Sequence, residues 1–582
     1  MSIHRPGVPK SAHALQYDTG MHKPARRLPF LAWPRPSAQQ LKSDAFAGLS
    51  VGLMTIPQGV AYAALAGMPA ITGIYASVLP ALVATLMGAS VRLSVGSTAL
   101  TAMLVTASLT GVAEPGSAQW INLAVWLALM TGVMQVLLGY ARFGWLLNLV
   151  SSPVLTGFTQ GAALLIIASQ VPALLGMPAG WSSLTEPASW NLPALLIGVS
   201  TVAILMLSKR FKPTFPTVLL VMLAGAAAVH WTDLQATGLT VVGALPQGLP
   251  SLYWPGALDW DTFKQLLMPA MVITLVSFLE TASSAKVDNE GLGKRWDQDQ
   301  DLIGQGLAKV LSGLSGAFPT STSFGRSALN LYAGAQTGWA ALISVGIVVL
   351  ALLFLTPVLA LVPRAVLAGI VVAAVQSLLK PRAFVQLMRI DRIEASTAAI
   401  TFAVTLLSAP RLYWGVLTGV VLGLSHFLHT RLHPRIIEVG LHPDGSLRDR
   451  HLWELPPLAE QLYALRMDAE LDFAAASSLE RAIGNHLSQH PHVRHVCLFA
   501  HPINRIDATG VEVFAQLLRQ LRKRDVVLHI SGIKLPVEKT LHRAGLLHAH
   551  DSHLRLYRTD AEAVQALRQL QPPPADMAAA AI

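Results

Sequence analysis

Between about Ala45 and Thr430 the chain is an almost unbroken succession of apolar stretches, each near the ~20 residues that a helix needs to cross the hydrocarbon of a bilayer. Few folds accept such a chain. Amides and carbonyls in lipid have no water to bond with, so the stretches must become helices that pack on one another. Composition agrees: of 582 residues, 53% are hydrophobic and 13% charged, outside the usual range of soluble globular proteins. The first 44 residues are polar, basic and rich in Pro, without a short apolar core, so no cleaved leader is predicted. Cys497 is the only cysteine, which excludes an intrachain disulfide and a Cys-based zinc site; its run "VCLFA" makes it buried filler.

Spans are predicted near 45–66, 70–89, 98–112, 118–140, 152–175, 193–208 and 215–231, then near 263–285, 300–317, 325–335, 338–357, 365–379, 394–409 and 411–430. The net charge of +10 matters here by its placement. Arg5, Lys10, Lys23, Arg26, Arg27, Arg35 and Lys42 put the N-terminal arm (1–44) in the cytoplasm. Counting crossings from there, the inside loops hold Arg92, Arg142, Lys209 with Arg210 and Lys212, Lys286 with Lys294 and Arg295, and Lys380 with Arg382, all basic. The opposite loops, around 113–118, 176–192 and 232–262, hold no Lys or Arg, and Asp233, Asp259 and Asp261 lie in the longest. Fourteen crossings fit this bias and return the C-terminal part to the cytoplasm.

Two successive sets of seven spans have opposite orientations, the arrangement of inverted-repeat transporters. "VGSTAL" (Val95 to Leu100) and "FGRSAL" (Phe324 to Leu329) each open the third span of their set, and both spans look too short to cross. The irregular runs "RLSV" and "FPTSTS" precede them, and breaks of this kind survive at membrane depth only where they line a cavity or pack on protein. Two half-helices meeting there aim positive dipole ends and free N–H groups at one point, which suits an anion.

Four side chains stand out. Arg326 heads the second half-helix, where its charge needs water, a partner or a ligand; snorkelling to an interface is the plain alternative. Glu280 puts a carboxylate inside the apolar helix "MVITLVSFLETASSA", with Ser284 one turn on; it is a site for a proton or a sodium ion, a balance for Arg326, or a packing contact. Gln58 follows Pro57, which should bend the first span, and its amide can donate to an anion or satisfy freed carbonyls. Tyr62 shares that face and walls a cavity or simply packs.

With "IPQGVAYAALAGMPAITGIYAS", "LSVGSTAL" and "QDLIGQGLAKVLSGLSGAFPTSTSFGRSALNLYAGAQT" in this order, the chain resembles the SulP family of anion transporters over nearly everything after residue 40. The resemblance implies an all-α membrane domain of two inverted seven-segment repeats arranged as core and gate, moving against each other, in dimers. It implies a substrate site at Ser97, Thr98, Gly325 and Arg326, with Ser323 and Ser327 beside them and Gln58 and Tyr62 from the first segment. Glu280, with Ser284, stands at the family's ion-coupling position; sodium-dependent relatives usually carry Asp there, so Glu leans towards protons. Thr98 replaces an aromatic residue of some animal members, which favours an oxyanion such as sulfate. Bicarbonate, dicarboxylate with sodium coupling, passive exchange or a channel, and an anion sensor stay open as alternatives.

After a linker at 431–455, residues 456–570 alternate strand and helix as a small cytoplasmic α/β domain, followed by a flexible tail at 571–582. This domain is similar to a STAS domain, a docking point for a cytoplasmic regulator. In "INRIDATGVEVF", Asp507 and Gly510 sit at a strand-to-helix turn that either holds a phosphate or is simply capped. The Ser that some STAS domains phosphorylate is Ala508 here, leaving Thr509 as a weak substitute. No Ser/His/Asp order, P-loop or metal-ligand spacing marks an enzyme, a cofactor or a nucleic-acid partner. A small anion and the bilayer of a bacterial-type cytoplasmic membrane, with both termini inside, are the partners and place this reading gives.

Overall fold

The computed structural model describes residues 28–177, 181–182, 190–211, 215–232, 234–293, 295–547 and 551–570. The basic residues Arg5 to Arg27, Lys212, Asp233, Lys294 and the tail at 571–582 lie outside the described residues.

Ser37 starts α1 (Ala38–Leu65) through a capping box: its hydroxyl accepts from the Gln40 amide, and the Gln40 side chain accepts from the Ser37 amide. The helix therefore begins inside the segment assigned to a polar arm, and it continues through Pro57 as one element. The second predicted span is split into α2 (Ala70–Tyr75) and α3 (Leu79–Met87). Then come β1 (Val95–Gly96), α4 (Ala99–Leu109), α5 (Ala118–Tyr140), α6 (Ser152–Leu175), α7 (Leu192–Phe211) and α8 (Thr217–Trp231). The second half runs α9 (Trp260–Gly291), α10 (Gln298–Leu314), β2 (Ser321–Thr322), α11 (Phe324–Tyr332), α12 (Trp339–Phe354), α13 (Thr356–Ala360) and α14 (Arg364–Val375).

It closes with α15 (Pro381–Ile390), α16 (Arg392–Leu407) and α17 (Tyr413–Leu432). Among the described residues, five helices are long and apolar enough to cross a membrane, and there are shorter apolar ones besides. α15 was not foreseen. It buries no residue, exposes Val385, Met388 and Ile390, and carries Arg382 and Arg389, the makeup of a helix lying in the interface plane.

Two bundles form. In one, α10 packs on α5 and α3, and α1 on α12; in the other, α6 packs on α16 and α14, and α14 on α7. Since lipid supplies no hydrophobic force between helices, close backbone approach at small residues carries the packing. A Cβ on Gly132 of α5 would sit 2.8 Å from the Gly306 carbonyl oxygen of α10, and one on Gly306 would sit 2.7 Å from that of Gly132. At the polar end Asp44, fully buried, accepts from the Gln336 and Thr337 amides at 2.7 and 3.1 Å. Arg92, counted above as a loop charge, is an ion-pair partner of buried Asp288 at 2.5 Å.

The chain divides into two compact units, up to Gly423 and from Leu424. The second contains β3 (Ile436–Leu441), β4 (Leu447–Asp449), β5 (Leu462–Met467), α18 (Ala476–Gln489), β6 (His495–Phe499), α19 (Ala508–Lys523), β7 (Val527–Ser531), α20 (Leu535–Arg543), β8 (Leu554–Tyr557) and α21 (Asp560–Arg568). One sheet in the order β4-β3-β5-β6-β7-β8, with β5 to β8 parallel, is covered by α18, α19 and α20 on one face and α21 on the other. The stretch 431–455 is therefore no linker: it supplies β3 and β4 as an antiparallel hairpin. The signal for it was Asp444–Gly445, a turn pair with Gly445 at φ +85°.

Candidate functional site

The two breaks meet. β1 pairs antiparallel with β2, Val95 opposite Thr322 and Gly96 opposite Ser321, and the chain then enters α4 and α11. Each half-helix is capped by a hydroxyl: Thr98 accepts from the Thr101 amide at 3.3 Å, and Ser323 from the Arg326 amide at 3.4 Å. These caps match Thr98 with Ser323, so "VGST" corresponds to "TSTS" at Thr320 to Ser323, one turn earlier than the "FGRSAL" match. Cap chemistry, not the shared small residues, sets the register.

A cavity of about 260 Å³ lies against both half-helices, with Gln58, Tyr62, Thr98, Glu280, Ser323 and Gly325 on its wall. Ala99, Leu100 and Phe324 line it too, and with Gly325 they hold the first-turn amides, which have no partner inside their helices. The end of α14, at Ala374 and Val375, also lines it. The wall therefore offers N–H donors and positive helix ends to a ligand, together with one carboxylate.

α11 shows one face to this cavity, made of Phe324, Gly325, Ala328, Leu329 and Tyr332, and buries Arg326, Ser327 and Asn330 on the other. Arg326 therefore stands behind the cavity wall rather than on it. Its guanidinium is fully buried and donates to Ser94 Oγ at 3.1 Å, to Gln58 Oε1 at 3.1 Å and to the Ser97 carbonyl at 3.0 Å. Ser97 and Ser327 also lie behind the wall: the Ser97 hydroxyl donates to the Gly73 carbonyl at 3.3 Å, and the Ser327 hydroxyl accepts from the Ser94 amide at 3.0 Å. Five of the eight candidate positions, Gln58, Tyr62, Thr98, Ser323 and Gly325, come together on the wall.

Glu280 is half-buried on α9, and its Oε2 accepts long hydrogen bonds from Thr98 Oγ1 at 3.4 Å and Thr101 Oγ1 at 3.5 Å. Ser284 does not join it, since its hydroxyl turns back to the Glu280 carbonyl at 3.3 Å. One charged group was missed altogether: Lys309 of α10 is fully buried, with Nζ donating to Gln135 Oε1 at 2.9 Å. A lone lysine in "GQGLAKVLSGLSG" was the available signal.

At the second candidate place, Asp507 Oδ1 accepts from the Gly510 amide at 2.8 Å and Oδ2 from the Phe473 amide at 2.9 Å. Both carboxylate oxygens are thus taken up by backbone amides, and Thr509 is exposed. Gly510 is there for close approach, because a Cβ would stand 2.0 Å from the Leu471 carbonyl oxygen. The turn is a capped connection. In the same domain burial pushes the Cys497 thiol well up, and pushes His529 down to about 4, with His495 and Arg555 adding to it. Among the described residues no group of three or more His, Cys, Asp or Glu could hold a metal ion.

Interrupted helices meeting inside a polytopic bundle, at a small hollow whose largely apolar wall carries first-turn amides, hydroxyls and one carboxylate, define a membrane transporter of anions rather than an enzyme. Residues 41–401 match the sulfate permease family and residues 457–563 a STAS domain, so the chain belongs to the sulfate permease family. It is 32% identical over 536 residues to "Probable sulfate transporter 4.2" of Arabidopsis thaliana, covering 88% of this chain and 78% of that protein. A probable sulfate transporter of Mycobacterium tuberculosis is 31% identical over 542 residues, 91% of this chain and 96% of its own. The sodium-independent sulfate anion transporter of Bos taurus is 28% identical over 561 residues, 89% and 88% of the two chains.

The fold is shared with murine Solute Carrier 26 family member A9, an anion transporter solved in the inward-facing state, at a TM-score of 0.82 and 18% identity over 97% of this chain and 100% of that one. The transmembrane domain of a cyanobacterium bicarbonate transporter superposes with a TM-score of 0.57 and 21% identity, covering 66% and 99%.

Proposed function

We propose that this chain moves sulfate across a cytoplasmic membrane by secondary active transport, with a proton as the coupling ion. The observation that carries the reading is that Glu280 and the two half-helix ends line one cavity. An anion drawn to the N–H groups arrives beside a carboxylate, and each pair of like unit charges ~4 Å apart costs ~4 kcal/mol at an effective dielectric constant of ~20. Anion and proton therefore favour each other's binding, by equal factors in both directions. Sulfate comes first among anions because the curated relatives are described as sulfate transporters, and because Thr98 adds a hydroxyl to the wall.

A smaller hollow of about 80 Å³ shares Met54, Gln58, Leu329 and Ala374 with the main cavity and reaches Ser50 and Thr217. With the N-terminal end of α1 in the cytoplasm, this is an exit to the inside. Movement of the α1/α5/α10/α12 bundle against the α6/α14/α16 bundle would expose the cavity to the other side. The chain works as a homodimer in this reading, with the STAS domain in the cytoplasm open to a regulator.

The test is uptake of radiolabelled sulfate into proteoliposomes, against bicarbonate and fumarate, under imposed pH or sodium gradients. Sulfate uptake should quicken with acid outside and ignore sodium, and Glu280→Gln should erase the response to pH. Uptake indifferent to both gradients would make the chain a passive exchanger, and a sodium response would move the coupling to that ion.

A further inference from the structure

Lys309 has no part in the mechanism above, yet an ammonium sealed inside a membrane bundle is costly without a counter-charge. Its surroundings narrow the choice of partner. Of the elements packed on α10, neither α3, α5 nor the 144–149 turn has a charged residue, and the charged side chain that α9 brings to bear is Glu280. Asp301, two turns earlier on α10, is already occupied by the amides of Ala89 and Ser90, the Ser90 hydroxyl and the Trp296 ring. Glu280 in turn feels Lys309, Arg326 and Tyr62.

Polar groups join the two. Lys309 Nζ donates to Gln135 Oε1; Gln135 Nε2 donates to Ser277 Oγ at 3.1 Å and to the Thr274 carbonyl at 3.0 Å; Ser321, whose Oγ donates to the Ser277 carbonyl at 3.2 Å, lies within electrostatic reach of Glu280. Gln305, one turn before Lys309, leaves its Oε1 buried without a hydrogen-bond partner, a spare acceptor beside the ammonium's own helix turn. Lys309, Gln135, Ser277 and Ser321 are not among the residues that line the cavity, so no substrate needs to touch them.

We infer that Lys309 is a resident counter-cation for Glu280, a positioning residue that sets the pH at which the carboxylate exchanges its proton. The inference rests on the reading of Glu280 as the coupling group. An opposite charge nearby favours the ionised carboxylate, so removing it makes proton uptake easier and moves the working range to higher pH.

The experiment uses the full chain with Lys309→Met and Lys309→Arg. In liposomes, the pH profile of sulfate uptake should shift by about one unit to higher pH in Lys309→Met and stay near its native place in Lys309→Arg. An unshifted Lys309→Met profile overturns the inference. Thermal unfolding in detergent of Lys309→Met, Glu280→Gln and the double variant gives a second readout that needs no transport. The lysine change should lower the melting temperature far less once Glu280 is neutral, and additive losses overturn the pairing. Should Lys309→Met alone fail to fold, recovery of folded protein on adding Glu280→Gln supports the pair, and failure of the double variant as well counts against it. Native uptake flat with pH would remove the coupling role of Glu280, while the thermal cycle still decides whether the two charges are paired.

Discussion

Arg326 Nη1 donates to Gln58 Oε1 at 3.1 Å, which leaves the other end of that amide, the Nε2 donor, to the cavity wall that Gln58 lines. The guanidinium is thus one side chain removed from the hollow. It fixes which way a neutral donor points, and its other donors go to Ser94 Oγ and the Ser97 carbonyl.

Arg326→Ala should accordingly cost stability as well as affinity. It strands the Gln58 oxygen, the Ser94 hydroxyl and the Ser97 carbonyl, at about 1–3 kcal/mol for each buried group left unpaired. Thermal unfolding should show a clear drop in melting temperature beside the weaker sulfate binding seen by calorimetry. A loss of affinity with unchanged melting would return Arg326 to the role of direct ligand.

Gln58→Glu separates the two effects. The new carboxylate pairs with Arg326 but places a second negative charge on the anion's wall. Melting should hold or rise while binding falls by roughly a hundredfold or more, the scale of ~3 kcal/mol for a charge-assisted bond turned to repulsion. Calorimetric titration with sulfate on this variant checks it.

Asp507→Ala removes the cap from α19 and the anchor for the Phe473 amide. The expected loss is about 1–2 kcal/mol in the C-terminal domain. Gly510→Ala should do worse, because its Cβ meets backbone rather than a side chain that can yield. Denaturant unfolding followed by hydrogen exchange in α19 reads both.

His529 predicts how the C-terminal domain responds to acid. Its ring is buried between His495 Nδ1 at 3.2 Å and the Tyr557 hydroxyl at 3.1 Å, and its pKa stands at about 4 against ~6.5 unfolded. Between those values the unfolded chain takes the proton and the folded chain does not. The stability due to the neutral ring is therefore complete above ~6.5 and drains away as pH falls towards 4, by about 3 kcal/mol in all. His529→Leu should flatten that decline, measured as exchange protection in β6 and β7 at a series of pH values after correction for intrinsic rates.

How much of this was legible beforehand divides along physical lines. Long apolar periods located the helices, and the irregular breaks at 92–95 and 318–323 located the half-helices, because polar backbone at that depth has few explanations. The face of α11 was not legible. In nine residues the charge drew attention to Arg326, whereas what reaches the cavity is the side carrying Gly325 and Ala328. Lys309 went unnoticed among glycines that serve helix contact, and β3 was hidden because the hairpin pair Asp444–Gly445 lies among charges that read as a tether. α15 is too short and too polar to register in a search for spanning segments.

The ladder of Val95 and Gly96 with Thr322 and Ser321 ties together residues made far apart in time as the ribosome works. The first half of the chain, once inserted, owns only one of the two half-helix ends and neither Glu280 nor Arg326. The hollow consequently takes shape only once residues of both halves, up to the end of α14, have been made and brought together.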